Sequence, residues 1–229
     1  MKTLGILGGM GPEATLDLFR KIVELTPAKR DQDHLHIVID NYAQIPDRTA
    51  NILAGGEDPL PYLVEGAKRL ESAGVDAIIM PCNTAHYFLP RIKLQVDMPF
   101  ISIIDSAVAE VATIAPHAKS VLPISTTGTK STRLYEDALL AAGYTVPETP
   151  KDIQDEIMYC IYEGVKKGET LQVVNRFQRA IEYIDSEIKP DVLISACTEI
   201  PILMPHITTN TPTVDATLAL ARAGILFCS

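Results

Sequence analysis

Apolar residues in this chain fall into two kinds of run. Short, nearly continuous stretches of strand length lie at 3-7, 35-40, 76-80, 99-104, 119-124, 191-195 and 212-215. They alternate with stretches of helical character near 13-25, 60-73, 105-115, 130-142, 153-167, 170-188 and 216-227. This alternation predicts an α/β protein of parallel strands joined by crossover helices. The strand runs are continuous rather than alternating, as expected where helices cover both faces of a sheet. Over 170-188, Leu171, Val174, Phe177, Ile181 and Ile184 recur at helical spacing and predict an amphipathic helix.

The pattern also repeats. Lys2 to Thr15 can be laid over Lys119 to Thr132, matching Gly11 with Gly128. Further along, Asp76-Ala-Ile-Ile-Met-Pro-Cys82-Asn83-Thr84 resembles Asp191-Val-Leu-Ile-Ser-Ala-Cys197-Thr198-Glu199, and each is followed by a proline and a short run ending in Asp105 or Asp215. Slightly different offsets between the copies need only modest loop changes, which surface connections tolerate. The reading is two pseudo-symmetric parallel-sheet α/β domains: 1-105 plus 211-229, with the last strand and helix returning to the first domain, and 106-210. Ligands of such folds gather beyond the strand C-termini. The expected active site is therefore a cleft between the halves into which both cysteines open.

Composition narrows the class. With 229 residues and 47% hydrophobic side chains, the chain can bury sizeable cores. Its apolar runs stop short of the ~20 residues a membrane span needs, and its start lacks the build of a signal peptide. The expectation is a cytoplasmic protein without a membrane partner, whose four cysteines are free thiols. A net charge of -9 with scattered Lys and Arg gives no footprint for nucleic acid.

The matched cysteines suggest chemistry. Inverting a carbon stereocentre takes a proton from one face and delivers one to the other, so two acid/base groups must flank the substrate, and a thiolate with a thiol can serve. A free thiol has a pKa of ~8.5, so at least one is expected to be acidified, by following helical N-H groups or nearby donors. The carbanion must be held as an enolate-like carboxylate by aimed donors. Candidates are Asn83, Thr84, Thr127 and Thr198, with the Gly8-Gly9-Met10-Gly11 and Ser125-Thr126-Thr127-Gly128 loops.

These residues carry a family resemblance. Gly8-Gly9-Met10-Gly11-Pro12, Gln44-Ile-Pro-Asp-Arg48, Met80-Pro-Cys82-Asn-Thr-Ala-His86, Ser125-Thr-Thr-Gly128, Gly164-Val-Lys166 and Ala196-Cys197-Thr-Glu199 occur in order over essentially the whole chain, and together resemble the aspartate/glutamate racemase family. The resemblance implies a cofactor-independent racemase of acidic amino acids, aspartate foremost, with Cys82 and Cys197 as the two bases and neither pyridoxal phosphate nor metal. It also implies that Arg48 and Lys166 contact substrate carboxylates, that Met10, Asn83 and Thr84 contact the α-carboxylate, and that the protein is a homodimer. Some relatives lack one thiol and isomerise or decarboxylate small dicarboxylates; both thiols are present here. Two departures stand out: Ala196 where the family has Gly, and Pro123, which a central strand tolerates poorly and which predicts an irregular strand.

Each residue also has a plainer reading. A free Cys alone is most often core, and Cys160 and Cys228 are read as structural. By sequence alone Arg48 is an exposed loop arginine and Lys166 a helix-end charge, and Gln44 is weaker still. Glu199 could orient Thr198, assist proton traffic or cap the next helix. His86, four residues after Cys82, is a candidate metal ligand or base, but no CxxC or HxxxH supports a metal. Gly9-Met-Gly11-Pro-Glu-Ala14 with Asp40 satisfies a dinucleotide fingerprint, though the gap to Asp40 is long. A two-lobed solute-binding module would need no thiols in its cleft.

Overall fold

The computed structural model describes residues 2-229. The fold is α/β with two parallel sheets, and the chain divides into two compact units, Met1–Ser106 with Thr217–Ser229, and Ala107–Ala216.

The first unit is built on β1 (Thr3–Gly8), β2 (His36–Asn41), β3 (Ala77–Ile79) and β4 (Phe100–Ile101), in the order β2-β1-β3-β4. The inner strands β1 and β3 are almost wholly buried, whereas the edge strand β2 is only partly so, which explains the continuous apolar runs of the inner pair. Helix α1 (Pro12–Leu25) starts on a proline whose missing N-H costs nothing at that position; it buries Ala14, Leu18 and Ile22, spaced four apart on one face. Between β2 and β3 lie α2 (Arg48–Ala54) and α3 (Leu60–Ser72), and after β3 come a 3-10 turn (Thr84–Phe88) and α4 (Leu89–Lys93). Leu7, Met10, Leu63, Leu70, Ile78, Cys82 and Phe88 belong to one buried cluster. Of the 99-104 run only two residues are strand, because α5 (Ile103–Ile114) begins almost immediately after β4.

The second unit has β5 (Val121–Ile124), β6 (Val192–Ser195) and β7 (Thr213–Asp215) in the order β5-β6-β7, all parallel. The last strand, expected in the first domain, therefore pairs with β6, and the chain then enters α11 (Ala216–Cys228). The counterpart of β2 shrinks to a single parallel bridge, Ser120 with Thr145. Pro123 leaves β5 regular, correcting the expected irregularity: the Val121 N-H donates outward to Thr145, the Ile124 carbonyl accepts from the Ala196 N-H just past β6, and Pro123, two residues on from Val121, turns its nitrogen to the open edge.

The remaining helices are α6 (Thr127–Ser131), α7 (Leu134–Ala141), α8 (Lys151–Tyr159), α9 (Thr170–Tyr183) and α10 (Ile200–Leu203). The predicted helix at 130-142 is broken by Arg133, a non-glycine residue with φ of 56°. The stretch 153-167 continues from α8 through a π turn (Cys160–Gly164) and a 3-10 turn (Val165–Lys167), ended by Gly168 in left-handed conformation. In α9 the buried stripe is Val173, Phe177, Ala180 and Ile181. Leu171, predicted to share it, is 72% exposed, because it lies about 120° around the helix from Phe177.

Candidate active site

The Asp that opens each cysteine segment has the same task in both units. Asp76 Oδ2 accepts from the Thr3 N-H at 2.6 Å, and Asp191 Oδ2 accepts from the N-H groups of Lys119 and Ser120 at 2.8 and 2.9 Å. Each carboxylate ties the start of its cysteine strand, β3 or β6, to the start of the neighbouring strand. Those backbone donors hold Asp191 below the usual Asp range. Both cysteines then follow their strand's C-terminal end within three residues, as buried free thiols 6% and 5% exposed.

In the first unit the chain leaving β1 turns through Gly9 at φ +89°, where an added Cβ would meet the Tyr42 carbonyl carbon at 2.4 Å. The Thr15 hydroxyl accepts from the Gly9 N-H and donates to the Gly11 carbonyl, pinning the loop that carries Met10. Arg48, read from sequence as exposed, is 7% exposed. It is the first residue of α2, whose N-cap Asp47 accepts from Ala50 N-H, and its guanidinium donates to the carbonyls of Ile45, Pro46 and Met10. The structure thus joins Arg48 to Met10. Asn83 and Thr84 are buried immediately after Cys82, whereas Gln44 is exposed.

His86 holds the Cys82 segment from behind. Its Nδ1 lies 2.9 Å from the Cys82 carbonyl, and its Nε2 accepts from the Ile103 N-H at 3.2 Å. A carbonyl can only accept, so Nδ1 carries the proton and Nε2 is the lone-pair nitrogen. Both ring nitrogens are committed, which speaks against the metal-ligand and base readings. Burial pushes the imidazole down to about 4. Among the described residues no group of three or more His, Cys, Asp or Glu side chains is placed to hold a metal ion.

In the second unit Cys197, Thr198, Glu199 and Lys166 come together. The Cys197 thiol donates to Glu199 Oε2 at 2.9 Å, the Thr198 hydroxyl donates to the same oxygen at 3.3 Å, and Lys166 Nζ lies 3.0 Å from Oε1. Glu199 occupies the N-cap position of α10 without capping it by its side chain. Burial pushes the Glu199 carboxyl up, but the Lys166 ammonium and the Cys197 hydrogen bond outweigh it and hold it below the usual Glu range. Cys197 goes the other way. Burial first, and the Glu199 charge second, push it well above the ordinary thiol range. Of the two thiols, at least one of which was expected to be acidified, Cys197 is not the acidified one. Lys166 reaches Glu199 from the turn after Gly164, where a Cβ would strike Val173 at 2.3 Å, and its ammonium stands 5.5 Å from the Tyr162 ring centroid.

Thr127 opens α6, half-buried, and its N-H donates to Met158 Sδ at 3.2 Å. The adjoining loop is tied by Gln154, whose amide donates to the Ser125 carbonyl, a buried contact that no sequence motif signalled. The Lys166–Glu199 pair was likewise invisible, since nothing local links residues so far apart in sequence. Asp40, the ribose partner a dinucleotide reading would need, accepts from the Arg69 guanidinium at 3.0 Å, and so is already engaged.

The chain is similar to known proteins along its whole length. The chain is 27% identical to the broad specificity amino-acid racemase RacX of Bacillus subtilis (strain 168), over 97% of this chain and 96% of that one. It is 30% identical to a glutamate racemase of Campylobacter jejuni over 68% of this chain and 61% of that protein. Among solved structures, the Picrophilus torridus aspartate racemase superposes with a TM-score of 0.87 and 33% identity, covering 100% of this chain and 94% of the other. The Asp/Glu/Hydantoin racemase model matches residues 7–224, and the chain belongs to that family as an amino-acid racemase.

Proposed function

We propose that the protein interconverts L- and D-aspartate by two-base proton transfer, with Cys82 and Cys197 as the bases and no cofactor. The observation that carries this reading is the matched pair of buried free thiols, each just past the C-terminal end of an inner strand, β3 or β6. One thiolate takes the α-proton: the C-H bond breaks, an S-H bond forms, and the electron pair passes into the carboxylate as an enolate. The other thiol then returns a proton to the opposite face. Arg48, Lys166 and the polar groups of Met10, Asn83, Thr84, Thr127 and Thr198 are the proposed carboxylate-binding set, with Gln44 at its margin and Glu199 acting through Cys197.

Aspartate is preferred because the likeness to the Picrophilus torridus aspartate racemase spans the whole chain. The broad specificity of RacX supports a second reading, a wider amino-acid range. The test is incubation of each enantiomer of aspartate, glutamate and a panel of neutral amino acids in heavy water, following optical rotation and α-deuterium. Aspartate should exchange and racemise fastest, and Cys82→Ala or Cys197→Ala should each abolish racemisation. Absence of exchange with every substrate defeats the proposal, and near-normal turnover in either variant removes the two-thiol mechanism.

A further inference from the structure

We infer that His86 is a positioning residue for Cys82: its Nδ1-H holds the Cys82 carbonyl, fixes the Cys82–Asn83 peptide and so sets how the thiol is presented, a device that the second unit lacks. The inference rests on the reading of Cys82 as one of the two bases and names what keeps that base in place.

Both backbone polar groups of Cys82 are taken. Its N-H donates to the Met80 carbonyl at 2.8 Å across Pro81, and its carbonyl accepts from His86 Nδ1 at 2.9 Å. With both ends pinned, rotation about χ1 is the main freedom left to the sulfur. A trans peptide is planar, with its C=O and N-H pointing in opposite directions, so a carbonyl drawn to the imidazole turns the Asn83 N-H to the side away from it. The imidazole is itself anchored, because Nε2 accepts from the Ile103 N-H at the start of α5, a donor that has no partner within its own helix. His86 is buried, so water does not compete for either contact.

Cys197 is held differently. Its carbonyl accepts from the Ile200 N-H at 3.0 Å, a contact within the backbone, and the residue that matches His86 in the second copy is Pro201, whose side chain has no donor. The repeat thus pairs the thiols but not the groups behind them. Capping α5 uses Nε2 alone, whereas the contact with the Cys82 carbonyl uses the other ring nitrogen. Two substitutions can therefore separate the duties.

His86→Leu removes both contacts. His86→Asn puts an amide nitrogen where Nδ1 stands and keeps the donor to Cys82, but it is too short to reach Ile103. Each is compared with the wild type using both enantiomers of the amino acid that racemises fastest, unlabelled and α-deuterated. In His86→Leu, racemisation should fall about tenfold or more, as expected when a reacting group loses its alignment. Only proton transfer at Cys82 is slowed, so the enantiomers should respond differently. The primary isotope effect on kcat/KM should rise for the enantiomer whose α-proton goes to Cys82 and fall for the one whose α-proton goes to Cys197. His86→Asn should keep both wild-type isotope effects even where urea unfolding shows a loss of stability. A merely structural role lowers the amount of active protein and leaves both ratios unchanged; that result in His86→Leu overturns the proposal, as does the Leu pattern in His86→Asn. Should His86→Leu not fold, His86→Ser, which also loses both contacts but admits water to the space, takes its place with the same expected outcome. A wild type that exchanges no substrate defeats the racemase reading and this inference with it, whereas a wild type that racemises while its variants keep its isotope effects defeats this inference alone.

Discussion

The ammonium of Lys166 lies 3.0 Å from Oε1 of Glu199, pairing a side chain 23% exposed with one 4% exposed. A carboxylate buried this deeply is tolerated because it is paired and hydrogen-bonded. Lys166→Met leaves the charge in place and removes its compensation. At pH 7 the variant should lose about 2 kcal/mol of unfolding free energy, less than a fully buried pair would cost because Lys166 is partly solvated. The pH dependence has a definite sign. In the wild type, Glu199 lies below its ordinary value of 4.5, so its contribution is present above that value and lost as pH falls through the folded-state pKa. In the variant, burial acts without the ammonium to oppose it and raises the carboxyl, so protonation relieves the penalty. Urea unfolding at a series of pH values should show the gap between the two proteins narrowing towards pH 4.

His86 also loses stability as pH falls, but here it is the neutral form that the fold favours. Its folded-state value of about 4 lies below the ordinary 6.5, so the folded protein favours the neutral ring. Stability is fully present above pH 6.5 and falls as pH drops towards 4, by about 3 kcal/mol from this group. His86→Gln, which can still donate towards the Cys82 carbonyl and accept from Ile103, should lose that part of the acid slope. A wild type and variant with parallel stability profiles between pH 7 and 4 would show that the imidazole stays neutral for another reason.

Two glycines with left-handed backbones should respond very differently to alanine. At Gly55, with φ of 64°, an added Cβ meets nothing within 4 Å, so only backbone strain of about 1 kcal/mol is expected. At Gly9 the Cβ would enter the backbone of Tyr42 and Ala43 at 2.4 to 2.6 Å. The loop between β1 and α1 must then move, costing about 3 kcal/mol or more, and the Met10 carbonyl that accepts from Arg48 moves with it. Chemical denaturation of both variants measures the difference. Equal losses would mean that the turn relaxes without cost.

Much of the architecture was legible along the chain. Strand and helix periodicities are set by local geometry, so all seven strands and most of the longer helices fell where the apolar pattern put them. The repeat showed itself because Asp76 and Asp191 carry the same backbone duty, and Cys82 and Cys197 follow the same kind of inner strand. Short elements such as α2, α4 and α10 were missed, since four to seven residues carry too little periodicity to register. The break between α6 and α7 is not written in the pattern either: Arg133 takes a left-handed backbone there although no glycine or asparagine marks the place.

The residues by themselves therefore determined the α/β class, the doubled half and the matched cysteine segments, because each depends on neighbours in sequence. Tertiary structure alone decided that β7 joins β6, that Arg48 is buried against three carbonyls, and that Lys166 meets Glu199 beside Cys197. Those outcomes depend on which distant groups share a low-dielectric interior, where a charge must find a partner or lose its proton. No stretch of sequence read locally contains that information.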